Sequence, residues 1–210
     1  MRTIFVLPAF LLVACAAEAT EPVTYDSLRD RLAEPTRLEL PAASNVGELA
    51  ARRWSSTGWV DGTATVSLAG GALVAKLDSA GHLVASELQL AVDPIELPAT
   101  IIGTPLTLRD VRVGLETSSP PADITWTGND EAACTLDLEL VLSWSIEHDG
   151  QLFPLGEQKL PPIAAHLTLV GDGATVDASL ALHGEGTLWS WAELLELTKL
   201  DLVIRGATIN

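Results

Sequence analysis

Along residues 136–146 every second position is apolar: Leu136, Leu138, Leu140, Leu142, Trp144 and Ile146. Asp137, Glu139, Val141, Ser143 and Ser145 lie between them. A period of two sustained over this length predicts a long β-strand with one face on a core and the other in water. Val176, Ala178, Leu180 and Leu182 repeat the pattern, as do Leu200, Leu202 and Ile204. In Leu106–Leu115 the phase switches, from Leu106 and Leu108 to Val111, Val113 and Leu115, which predicts a bulge near Arg109-Asp110.

Turn residues punctuate these runs, and each turn must choose a register that puts apolar opposite apolar. A Gly70-Gly71 turn pairs Leu68 with Leu73. An Asp149-Gly150 turn, a favoured type I′ dipeptide, pairs Ile146 with Phe153 and Trp144 with Leu155. A Gly171-Asp172 turn pairs Leu169 with Ala174 and Ile163 with Leu180, and the connection Asp78–Gly81 sets Ala75 against Val84. The expected fold is all-β: an antiparallel meander of about nine or ten strands, as a curved sheet, a barrel or a sandwich. One short C-terminal helix is expected near 190–198. Ser190 and Glu193 form a capping box there, followed by Leu194, Leu195 and Leu197, with Lys199 in the last turn.

Before residue 51 the alternation is weak. Residues 15–50 carry Pro22, Pro35 and Pro41 and read as a spacer, with short helical segments at Asp26–Ala33 and Val46–Arg53. A single β domain is expected over 51–210. Residues 1–14 place Arg2 ahead of an apolar stretch from Ile4 to Ala14, the layout of an export signal and too short to span a bilayer. The stretch ends in Leu12-Val13-Ala14-Cys15, which resembles the lipobox of bacterial lipoproteins. The resemblance implies cleavage between Ala14 and Cys15, with a diacylglyceryl group on the Cys15 sulfur and usually an acyl group on its amine. It implies attachment to a membrane of the cell envelope through that lipid. With no Asp at position 16, the enterobacterial sorting pattern leaves transfer to the outer membrane open. The alternative is cleavage after Ala17-Glu18-Ala19, which would release a soluble periplasmic or secreted protein.

Charge narrows the partners. Twelve basic against 28 acidic residues give −16 over 210 residues, and losing Arg2 with the signal leaves 11 against 28, or −17. Such a surface excludes general nucleic-acid binding, which needs a cationic face, and is repelled by anionic headgroups. Cys134 has no disulfide partner once Cys15 is lipidated or removed, and reads as a small buried hydrophobe at a strand start.

Candidate chemistry is sparse. G-x-S-x-G, S-x-x-K and H-E-x-x-H are absent, so no catalytic residue is assigned. His82, His148, His166 and His183 lack metal-ligand spacing. His166 is expected opposite Asp177 on the outward face. Gly128–Glu131 and Gly171-Asp172-Gly173 read as turns and not as calcium loops. Neither a metal nor a cofactor is expected. Trp144 belongs to the core, while Trp54, Trp59, Trp126, Trp189 and Trp191 fall at element ends, where an indole packs a rim, stacks on a sugar or lines a cavity mouth. The expectation is a lipid-anchored, non-catalytic envelope domain that binds an apolar small molecule such as a lipid, or contacts an envelope protein. An uncharacterised hydrolase is the weaker alternative.

Overall fold

A computed structural model of the protein describes residues 27–42, 45–98, 106–171, 175–191 and 195–208. One antiparallel sheet carries thirteen strands, and the described residues include one short helix, α1 (Leu28–Leu32). The strands begin with β1 (Thr36–Pro41), β2 (Val46–Ser55), β3 (Gly58–Leu77), β4 (Leu83–Val92) and β5 (Ile95–Leu97). Next come β6 (Leu106–Leu115), β7 (Ile124–Trp126), β8 (Glu131–Leu138) and β9 (Leu140–His148). The last four are β10 (Gln151–Lys159), β11 (Ile163–Gly171), β12 (Val176–Trp191) and β13 (Leu195–Ala207).

Many of these strands are successive pieces of one stave. Only Glu139 separates β8 from β9; β9 pairs with β6 and β10, while β8 pairs with β7 and β11. Likewise β4 continues into β5 along β6, and β1 and β2 both lie between β3 and β13. Each stave is antiparallel to the next, and the last, β13, returns to β1 and β2. The meander therefore closes into a barrel, which removes most sheet edges.

Alternation fills the interior. Leu136, Leu138, Leu140, Leu142, Trp144 and Ile146 all point inward and are buried, as are Val176, Ala178, Leu180, Leu182, Leu202 and Ile204. The phase switch in β6 is a bulge between Arg109 and Arg112, with Asp110 at φ 54°. Two apolar clusters stack along the axis. One contains Leu28 and Leu32 of α1, so this helix plugs one pole; the other, around Trp144 and Trp189, lies toward the opposite pole. Ser27 caps α1, its hydroxyl accepting the Asp30 N–H at 3.2 Å. This is the first helical segment expected above, shortened at both ends.

Several local expectations are corrected. The described residues of 190–198 are strand and not helix: Ser190 lies opposite Glu196 and Trp191 opposite Leu195 where β12 pairs with β13. Glu193 and Leu194 of the expected capping box lie outside the described residues. Trp189, Leu195 and Leu197 are buried while Arg52 pairs with Glu196 at 2.6 Å, so cross-strand packing overrides a local helix signal. Val46–Arg53 is likewise strand, and Thr36–Pro41 together with residues 46–50, expected in the spacer, belong to staves of the barrel. Their alternation is diluted by Ala and Gly, whose small side chains gave the period little contrast.

Two turn registers shift and one turn is absent. Leu169 faces Ala178 and Leu167 faces Leu180, a register shift that keeps apolar opposite apolar. Ala75 faces Ala85, and Phe153 faces Ile146 as expected, but a bulge between Pro154 and Gly156 puts Gly156 opposite Trp144 in place of Leu155. At Gly70-Gly71, β3 runs straight on. Gly70, at φ 149°, sits in a bulge against β4, and a Cβ on Gly71 would collide with the Gln89 carbonyl oxygen. These glycines serve close approach between staves, not reversal. Gly71→Ala is expected to destabilise the fold by about 1–3 kcal/mol, seen as a lower urea midpoint with an unchanged m-value.

Candidate functional site: a seam at the far pole

The barrel is closed along most of its length but unzipped at the pole remote from α1. β11 and β12 pair from Gly171–Val176 to Ala164–His183, and there the ladder stops. Pro161 and Pro162 follow on one side and carry no N–H, so they cannot continue it. Across from them, Gly184-Glu185-Gly186 leads into a β12 irregularity between Glu185 and Trp189, with Gly186 at φ 93°. Beyond this point β10 pairs with β9 alone and the distal half of β12 with β13 alone.

The opening uncovers an inward face. Phe153 shares its face with buried Ile146 yet is 47% exposed, and Leu155 is half-buried. On the outer face Leu152 is 51% exposed. Among the described residues a side-chain hydrogen bond spans the gap: the Trp189 indole N–H donates to Gln158 Oε1 at 2.7 Å. Extending the β11–β12 register places these two residues opposite each other, so side chains meet where backbones do not.

Behind the seam Trp189 packs edge-to-face on Trp144, centroids 4.5 Å apart at 78°. Trp144 is 3% exposed and its indole N–H has no acceptor. Trp144, Leu160 and Leu188 also line a cavity of about 70 Å³ whose other lining residues are Leu, Val and Ile. About 150 Å³ is needed to hold benzene, so this space admits the end of a chain and not a whole lipid.

At the same pole the β2–β3 hairpin carries Trp54 and Trp59, 51% and 38% exposed, edge-to-face at 5.4 Å. Arg52 stacks over Trp59, 4.5 Å from its centroid. Trp126 lies instead at the α1 pole under Arg29, and nothing is described of the Trp191 side chain.

The remaining singled-out residues are dispersed. Ala14 and Cys15 lie outside the described residues. Cys134 faces inward opposite Leu167, and burial pushes its thiol up to about 11. His166 faces outward but lies opposite Ala181 and Thr135, not Asp177, because the β11–β12 register is shifted by four residues from the expected one. His82 sits between Asp78 and Asp123 at 3.3 and 3.4 Å, and the Asp78 carboxyl is held below its usual range chiefly by the His82 backbone N–H. His183 pairs with Asp201 and Glu185, and His148 with Asp149 at 3.6 Å. Among the described residues no three His, Cys, Asp or Glu side chains gather as a metal site would require.

Gln158, Phe153 and the seam were missed by sequence reasoning. A signal existed: Pro154 and Gly156 fall within β10 and Pro161 and Pro162 just past its end, and proline in or beside a strand marks an edge. No protein-family model matches the chain, and no curated protein matches it.

Two outcomes follow from this packing. Trp144→Phe surrenders an N–H with no acceptor and is expected to cost about 1 kcal/mol, whereas Trp144→Ala costs about 3–5 kcal/mol, both read by chemical denaturation. Cys134, with roughly one thiol in a thousand ionised at pH 8, should resist a disulfide reagent in the folded protein and react quickly in denaturant.

Proposed function

We propose that this chain is a lipid-anchored, non-catalytic protein of the bacterial cell envelope, held by acylated Cys15 and engaging an apolar guest at its far pole. The observation that carries the reading is the polarity of the barrel. The chain enters at the α1 pole, while Trp54, Trp59, Leu152 and Phe153, the exposed large apolar residues of two hairpin tips, lie at the other. The twelve residues from Cys15 to Ser27 reach at most about 40 Å. A twenty-residue stave such as β3, tilted as barrel staves are, rises roughly 50 Å. An anchor at Cys15 thus holds the α1 pole to the membrane and leaves the far pole free.

Two or more acyl chains make such an anchor durable, so the outer membrane reading needs no help from the acidic surface. A protein contact is the second reading, favoured by the Trp54–Trp59 pair, since exposed indoles are over-represented at interfaces. Metabolic labelling with radioactive palmitate tests the anchor. Wild-type chain is expected to carry label and fractionate with membranes, and Cys15→Ala to lose both. Unlabelled, soluble wild-type protein starting at Thr20 would instead establish cleavage after Ala19 and overturn the lipid anchor.

A further inference from the structure

We propose that the seam between β10 and the distal half of β12 is a lateral binding site for the end of a single uncharged hydrocarbon chain, latched by the Trp189–Gln158 hydrogen bond. The inference deepens the apolar-guest reading and rests on it, but not on acylation of Cys15.

The chemistry of the seam selects its occupant. An unpaired strand edge ordinarily invites another strand, yet this edge is blunted. Pairs along a hairpin alternate, and counting from His148–Gln151 puts the main-chain groups of Leu152 and Pro154 toward the gap, where Pro154 has no N–H to offer. The bulge between Pro154 and Gly156, with Gly156 at φ 72°, twists the next residues out of register, and Lys159 adds a charge. Proline, bulge and lysine are the devices that keep edges from pairing, so an added strand finds few hydrogen bonds.

A hydrocarbon needs none. Phe153 and Leu155 present apolar surface on β10, and Leu155 and Leu160 pack against the cluster that holds Trp144 and Leu188, two residues that line the cavity of about 70 Å³. Charge at the mouth excludes an anionic head: Lys159, the one basic residue of β10, is already ion-paired with Glu116, and Glu157 and Glu185 are exposed on the two staves. The Trp189 N–H and Gln158 carboxamide hold the staves together side chain to side chain. Releasing that one bond widens the gap without breaking any ladder pairing.

The test uses the full mature chain in phosphatidylcholine nanodiscs, with the photoreactive p-benzoylphenylalanine in place of Phe153. Octadecanol and octadecanoate, of equal chain length, are offered separately and covalent adducts are read by mass spectrometry. Octadecanol is expected to label position 153 several-fold more than octadecanoate. The same probe at Val203, an exposed outward position on β13, should label with neither. Trp189→Phe keeps an aromatic ring, though a smaller one, and removes the donor, and should raise octadecanol labelling several-fold. Should Trp189→Phe lower the melting temperature, Gln158→Leu breaks the latch from the more exposed side and must give the same rise. No labelling at 153, equal labelling at 203, equal labelling by the acid, or latch variants that match wild type would each overturn the site. Adducts at 153 to a protein would assign the pole to a protein contact. A chain that labels with palmitate at Cys15 but never with octadecanol at 153 keeps its anchor and loses this guest.

Discussion

Closure of the sheet is the constraint on which the rest of this protein depends. When β13 returns to β1 and β2, the staves there pair on both sides, and every second side chain is committed to one shared interior. The inward set then has to fill that space. Leucine dominates it, with alanine and glycine where staves converge, as at Gly71 against β4 and Gly47 against β13. α1 completes the arrangement by carrying Leu28 and Leu32 into one open end.

The same constraint makes the seam meaningful. A closed barrel has no reason to expose the inner face of a stave, yet Phe153 is open to solvent at the one place where β10 has lost its second neighbour. The cause is covalent and local: Pro161 and Pro162 stop the ladder, and Gly184 and Gly186 let β12 depart from it. The far pole thus combines a filled, rigid barrel with a short stretch where packing alone, plus one hydrogen bond from Trp189 to Gln158, stands in for backbone pairing. Rigid support beneath a loosely held edge is the arrangement a binding site needs. The acidic surface, on which Arg52 at this pole is ion-paired with Glu196, is compatible with an uncharged guest.

The period-two pattern was enough to give the all-β antiparallel meander, the bulge at Arg109-Asp110, the inward leucines of β8, β9, β12 and β13, and the type I′ turn, where Asp149 and Gly150 take φ 50° and 73°. Those features are local: alternation and a turn dipeptide are legible within ten residues. The burial of Cys134 was legible for the same reason, since it falls in phase with Leu136 and Leu138.

What only the tertiary structure decided is where local signals compete. Ser190 and Glu193 spell a helix start, but the pull of Trp189, Leu195 and Leu197 into the barrel makes a hairpin, because burying three large side chains outweighs a cap of about 1 kcal/mol. Gly70-Gly71 spells a turn, but the twenty-residue β3 must pass two other staves there and needs the space. Whether a curved sheet remains open or closes depends on the meeting of β13 with β1 and β2, some 150 residues apart, and no window of sequence contains both partners. The seam is of the same kind. Its prolines are plain to read, yet they become an opening only because a closed barrel surrounds them.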